Sequence, residues 1–368
     1  MKTSNRIFAA FTAVALLSAS LSGCGGSKPA ASSQAPASSA PANSGTSQAA
    51  PATPSGTPEV VYRINCTQAV DLFEQLQQEF AKNVTELSGG RIGFEFIPTG
   101  SIGSSNECLT SCQMGTLDFV NGGSDELGSI VPNSDWAQLP MFISSHEQAQ
   151  KEYLNGFIGE FADQQYAQSG LVSVCRVDNS FRTVGVKGKQ ITSSADLKGL
   201  RIRVPNQPLA LRMYELMGAL PVAMAASEVL IALEQGTVDG ADNAVLLFDK
   251  FNLYDSFDSI VLLRYGFGTI NIFCSGQTWD AMPEEDRKIM KQAGKKAAEW
   301  YHSELLSQEE ALLKRAAEEG KYVIEPDDAW KQEMYQYAAE IWQEALSSGK
   351  YDEAFINQLY ALYQENSK

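Results

Sequence analysis

The chain has 368 residues, 44% of them hydrophobic, and carries 44 acidic against 28 basic residues for a net charge of −16. A field of that sign disfavours nucleic acid as a partner, and no internal run approaches the roughly 20 apolar residues that a membrane span needs. The length suits a globular body of two domains.

At the N-terminus Lys2 and Arg6 precede the apolar run from Ile7 to Leu17, and Leu21-Ser22-Gly23-Cys24 follows. Basic residues, a short apolar stretch and small residues in that order predict an export signal over 1–23. Leu-Ser-Gly-Cys resembles a bacterial lipobox, which implies cleavage before Cys24 and a diacylglycerol on its sulfur. Two acyl chains give stable anchoring; an ordinary secretory signal with a chance cysteine is the alternative. Residues 24–58 are rich in Ser, Ala, Pro and Gly, with Lys28 as the only charge. Such a segment cannot build a core, so a disordered tether with ends roughly 30 Å apart is expected. A spacer of this length suits a cell surface with a single membrane better than a periplasm.

Strands are predicted at 60–64, 117–121 and 171–174, and the spacing of Cys108 and Cys112 suits one helical face. The segment 196–243 reads as a complete αβ module. Leu200, Ile202 and Val204 alternate with Arg201 and Arg203, so a short strand would turn apolar groups one way and guanidiniums the other. Pro205 ends it, Asn206 can cap the next helix, and Gly218 suits that helix's C-terminal stop. A second helix over 227–235 ends at Gly236, a strand at 237–239 follows, and Gly240 turns the chain so that Asn243 lies just beyond a strand end. Open α/β sheets bind ligands at such places. By their spacing alone, Arg203 is either a solvated strand arginine or an anion ligand, and Asn243 either a ligand or the cap of its own turn. From Pro283 onward Ala, Glu, Lys, Gln and aromatic residues recur at helical spacing with few breakers before Gly320, which predicts long amphipathic helices whose aromatic residues pack in the core.

The run DLKGL-R-I-R-V-P at 196–205, then GA-L-P, S-E-V and L-E-Q-G-T-V-D-G-A-D-N up to Asn243, resembles the substrate-binding proteins of TRAP transporters, the DctP-like receptors for organic acids. The segment 90–103 (GRIGFEFIPTGSIG), Leu139-Pro140-Met141-Phe142 and the stretch Thr278-Trp279-Asp280-Ala281-Met282-Pro283 are similar to further motifs of that family. The resemblance implies an α/β, two-lobed fold of the periplasmic-binding-protein type, with a hinged cleft and long C-terminal helices. Lobe I is expected over 59–178 and 267–320, lobe II over 179–266 and 321–368. It also implies Arg203 as the main salt bridge to a ligand carboxylate, Arg182 as a second arginine on that carboxylate, and Asn243 as a polar ligand. Arginine suits the task because its planar fork makes two parallel hydrogen bonds to one carboxylate.

Departures from the pattern bear on the ligand. Ala226 stands where relatives often carry an aromatic residue, and Asp242 replaces a glutamate, so a smaller pocket wall is expected. Asp125 and Glu126 lie where loops of lobe I should face the cleft; there they would repel a second carboxylate and accept hydrogen bonds from hydroxyls. A helix cap or a solvated loop is the other reading of these two. Arg176 and Asn65 are further cleft candidates, from loops after predicted strands. The expected ligand is a sugar acid such as a uronate or aldonate, with a C4-dicarboxylate as the second choice.

Enzyme chemistry finds little support. His146 and His302 are the only histidines and read as structural or exposed, and no nucleophile elbow, zincin, phosphate-loop or dinucleotide motif occurs. Neither a metal nor a cofactor is expected. Cys66, Cys108, Cys112, Cys175 and Cys274 remain after lipidation of Cys24, an odd number that leaves a free thiol or an intermolecular pair; small buried hydrophobes are the default. The chain is therefore expected to be a non-enzymatic, extracytoplasmic receptor, held to the bacterial membrane only through Cys24, that delivers its ligand to TRAP membrane subunits. A secreted enzyme and a sensor lobe feeding a signalling protein are the readings from other classes.

Overall fold

The computed structural model describes residues 57–368, apart from the side chains of Ser124 and Asp125. The expected signal peptide, the lipidated Cys24 and nearly all of the tether lie outside the described residues.

Ten strands form the framework: β1 (Val60–Cys66), β2 (Ile92–Ile97), β3 (Phe119–Gly123), β4 (Leu171–Val186), β5 (Arg201–Val204), β6 (Leu220–Ala223), β7 (Gly240–Ala244), β8 (Ser259–Val261), β9 (Phe267–Ser275) and β10 (Tyr322–Ile324). Their order is β2-β1-β3-β9-β4-β7-β5-β6, with β8 joining β4 to β10. The strand β1 is parallel to β2 and β3, whereas β9 is antiparallel to β3. On the other side β5 lies parallel to β6 and β7. The two parallel groups are joined through β4, which is antiparallel to β9 over Leu171 to Phe181 and to β7 over Arg182 to Val186. This is a mixed α/β, two-lobed fold of the periplasmic-binding-protein type.

Between the two halves of β4 the register slips after Asp178, and Ser180 takes φ 70°, a left-handed conformation uncommon outside glycine. The sequence suggests only a short strand here because Asp178, Asn179 and Ser180 break the apolar run. Pairing with β9 and then β7 carries the strand through them. The strand after Gly236 also lies later than expected. Residues 237–239 form the approach to it: Asp239 accepts hydrogen bonds from the Arg201 backbone N at 2.8 Å and from its Nε at 3.0 Å. Gly240 thus opens β7, and Asn243 lies within that strand.

The helix after β5 spans Pro208–Leu216, with proline in its first turn and Gln207 at the cap position expected for Asn206. Gly218 and Gly236 do end their helices, at φ 79° and 66°. Glu284–Glu318 is a single helix of 35 residues whose acidic first turn, Glu284, Glu285 and Asp286, complements its positive end. Its buried stripe of Met290, Ala293, Gly294, Ala297, Tyr301 and Leu305 follows helical spacing. At Gly294 a Cβ would lie 1.8 Å from the Val174 carbonyl oxygen, so the bare glycine is what lets this helix cross β4 so closely.

The last two helices, Asp328–Ser347 and Glu353–Asn366, are capped by Asp327 and Asp352. Their aromatic residues pack inward. Trp342 donates to the Pro140 carbonyl at 2.9 Å, and Phe355 stacks on Phe161 with ring centroids 3.6 Å apart. The tail thus rests on residues expected in lobe I as well as on the Pro208–Leu216 helix, which Arg212 joins to Glu340 at 3.3 Å. All five described cysteines are free and buried. No helix among the described residues is long and apolar enough to cross a membrane.

Candidate functional site

A cavity of about 630 Å³ lies beside the junction of β4, β5 and β7, and Arg182, Arg203, Asn243 and Glu126 all line it. The alternation expected of β5 is present, and the environments of its two arginines differ. Arg201, at the partly exposed end, is paired with Asp239 at 2.5 Å. Arg203 is only 4% exposed. Its Nε donates to the Met224 carbonyl and its Nη1 to the Asp242 carbonyl, each at 3.0 Å. No side-chain carboxylate of the described residues forms an ion pair with it. Burial, and then the neighbouring Arg182 charge, bring its pKa down to about 10, the response of a desolvated cation without a counter-ion. The two carbonyls fix the orientation of the guanidinium, and Nη2 is left without a hydrogen-bond partner among the described residues.

Arg182 has a counter-ion. It donates through Nη2 to Asp242, which is fully buried. The other Asp242 oxygen accepts from the Tyr214 hydroxyl at 2.9 Å and the Tyr265 hydroxyl at 3.0 Å. Burial first, and Asp242 second, push both phenols well above their usual pKa, so they stay protonated donors. Asp242 is therefore not the shortened pocket wall that its replacement of glutamate suggested. It lies outside the cavity lining and holds Arg182 from beneath, whereas Ala226 does line the cavity.

Asn243 lies opposite Thr183 in the ladder, and its Oδ1 accepts from the Ala244 backbone N at 3.0 Å. That bond orients the amide and leaves Nδ2 as the donor toward the cavity. Glu126 borders the cavity and is also a cap: it accepts from the Gly123 backbone N at 3.0 Å, Thr67 Oγ1 at 2.7 Å and Gln68 Nε2 at 3.0 Å. The side chain of Asp125 lies outside the described residues.

The structure places two expected residues elsewhere. Arg176 lies on β4 but points away from this cavity, where it donates to the Gly159 carbonyl at 3.0 Å and pairs with Asp163. It lies on the half of β4 that pairs with β9, ahead of the register slip, and faces the helix Phe157–Gln168. Asn65 is fully buried and fastens β1 to the end of β2 through Nδ2 bonds to the Ile97 and Pro98 carbonyls at 3.0 and 3.3 Å. Neither lines the cavity.

Sequence reasoning missed several polar lining residues: Gln68, Gln138, Asn179, Ser180, Gln207 and Ser227. The one signal available was Asn179-Ser180, polar residues interrupting an apolar strand just before Arg182. The arrangement can hold one anionic group against Arg203 and surround the remainder of a small molecule with amides and hydroxyls. Among the described residues it presents no nucleophile hydrogen-bonded to a base.

Comparison with known proteins agrees with this geometry. The DctP family, described as bacterial extracellular solute-binding protein, family 7, matches residues 67–348. The C4-dicarboxylate-binding protein DctB of Bacillus subtilis is 27% identical over 259 residues, covering 69% of this chain and 73% of that protein. Among solved structures, a TRAP periplasmic solute-binding protein from Ochrobactrum anthropi, with its C-terminus bound in the ligand-binding pocket, has a TM-score of 0.77 at 22% identity, covering 84% of this chain and 96% of that one. Another, from Sulfitobacter sp. with bound β-D-galacturonate, has a TM-score of 0.72 at 24% identity, covering 83% and 99%. With its model matched over residues 67–348, this protein belongs to the DctP family, the bacterial extracellular solute-binding proteins of family 7, and it shares the fold of TRAP periplasmic solute-binding proteins.

Proposed function

We propose that the cavity captures a small monocarboxylate rich in hydroxyls, a uronate or aldonate, and that the protein delivers it to TRAP membrane subunits without performing chemistry on it. The observation that carries this reading is the uneven charge balance of the two arginines. Asp242 already neutralises Arg182, so the site offers one uncompensated positive charge, on Arg203. One ligand carboxylate satisfies it. A second carboxylate would meet the Glu126 carboxylate on the cavity wall, with Arg182 already engaged by Asp242. Sugar hydroxyls suit that wall better, since Glu126 can accept from them and the amides of Gln138, Asn179 and Gln207 can donate or accept. The galacturonate-bound structural neighbour supports this choice.

A C4-dicarboxylate is the second reading, supported by the printed function of the Bacillus subtilis relative. In either case closure follows from ligand contacts made by two lobes, residues 59–178 with 267–320 and residues 179–266 with 321–368, which favour the closed state over the open one. The lipobox at Cys24 and the spacer after it would hold the body at the outer face of the cell membrane, free to reach its transporter.

The test is a thermal-shift screen of organic acids followed by calorimetry on the hits. Uronates and aldonates are expected to rank above succinate, malate and fumarate, and methyl esters and neutral sugars to give no shift. A dicarboxylate as the tightest ligand would replace the sugar-acid reading with the second one.

A further inference from the structure

The two histidines were expected to be structural or exposed, each on its own. In the fold they converge on one buried carboxylate. Asp178 is fully buried on β4, immediately before the register slip. Its Oδ2 lies 2.6 Å from His146 Nδ1 and its Oδ1 lies 3.4 Å from His302 Nδ1. His146 begins a short helical segment capped by Ser145, and His302 comes from the middle of the helix Glu284–Glu318.

We propose that His146, Asp178 and His302 bind a single divalent transition-metal cation, zinc being the best match, at a site separate from the ligand cavity. None of the three lines that cavity. One ligand atom from each lies within 4.8 Å of the others, while donors around a tetrahedral zinc ion, at about 2.0–2.2 Å from it, are roughly 3.4 Å apart. Small side-chain rotations close that difference. Two imidazoles with one carboxylate are a donor set for zinc and its neighbours in the first transition row; calcium and magnesium take oxygen ligands.

The surroundings also suit a metal. His146 Nε2 lies 3.3 Å from Glu309 Oε2, so with Nδ1 on the metal the opposite nitrogen donates to a carboxylate. This arrangement fixes the tautomer and raises the basicity of ligating histidines. Glu309 Oε1 is buried without a partner among the described residues. Phe181 packs edge-on against the His146 ring at 5.1 Å and holds it in place. His302 is 26% exposed and gives the ion a way in. Once bound, it would tie β4 to the long helix beside Asn179 and Ser180, which line the ligand cavity.

The experiment is titration of the chelator-stripped, purified protein with zinc chloride by calorimetry, alongside cobalt(II) absorption spectroscopy. One equivalent should bind with micromolar or tighter affinity, and cobalt should show the intense visible bands of a four-coordinate site. His302→Gln, at a partly exposed position, should lower zinc affinity at least 100-fold with its circular dichroism unchanged. Glu309→Gln should lower it about 10-fold, which keeps the proposal testable even if a ligand variant folds poorly. Absence of binding to the wild type would overturn the proposal. So would zinc binding that neither variant alters, since the ion would then lie elsewhere.

Discussion

Arg203 is buried and Arg176 partly buried, and both are strand arginines that donate to backbone carbonyls, yet only Arg203 lines the cavity. Arg176 has an acidic partner in Asp163 and packs over the Tyr153 ring at 5.2 Å. Arg203 has carbonyls for orientation and, among the described residues, no carboxylate ion pair. An arginine that the fold has already neutralised is structural, whereas one that the fold orients and leaves uncompensated is prepared for an anion from outside.

The most damaging way to break this contrast is to remove the charge that separates the cavity's own two arginines. Asp242→Asn removes the buried carboxylate that pairs with Arg182 and accepts from two phenols, and should cost about 3–5 kcal/mol of stability. Chemical denaturation would measure the loss. If the variant folds, its preference should move toward dicarboxylates, because Asp242 then no longer compensates the Arg182 charge. Arg203→Ala should cost about 2–5 kcal/mol of binding, roughly 30-fold to several thousand-fold in affinity. Titration calorimetry within a few-fold of wild type would contradict the assignment. Arg203→Lys should lose most of the affinity as well, since a point charge does not replace the fork.

Stability without ligand should move the other way at Arg203. Its folded-state pKa is depressed to about 10, below the ordinary arginine value. The unfolded chain thus holds this proton more tightly, and the unfavourable contribution is fully present below about pH 10 and lifts as pH rises through it. Arg203→Met should therefore leave the ligand-free protein at least as stable as wild type at neutral pH. Arg176→Met should do the reverse, keeping ligand affinity within about 2-fold while losing about 1–3 kcal/mol, because carbonyls lose their donor as they do at Arg203 but no uncompensated charge is relieved in exchange. Thermal melts and calorimetry on the two variants would show the crossed pattern or its absence. The smallest effect is expected at Glu126→Gln, about 0.5–1.5 kcal/mol. A weaker sugar-acid complex there, with dicarboxylate binding improved, would sharpen the choice between the two ligand classes.

The part of the site carried on local pattern was legible beforehand. The alternation around Arg203, and the glycines that end the flanking helices, are properties of a few adjacent residues. What depended on distant partners was not. Asp242 looked like a shortened wall because its donors, Arg182, Tyr214 and Tyr265, come from three separate segments. Arg176 was expected at the cleft because it follows a predicted strand, but the register slip after Asp178 leaves it facing a helix while Arg182 lines the cavity. Asn65 and the polar lining at Gln138 and Gln207 carried no local signal. The meeting of His146, His302 and Asp178 was equally hidden, since it requires the long helix to lie along β4.

The five free cysteines have a consequence for how this protein is made. In a family described as extracellular, unpaired thiols invite oxidation and disulfide exchange. Burial pushes Cys66 and Cys175 up to about 12, so almost none of either exists as the reactive thiolate at neutral pH. The folded body can therefore mature without a disulfide-forming catalyst, and it should withstand reducing and oxidising surroundings alike until unfolding exposes its sulfur.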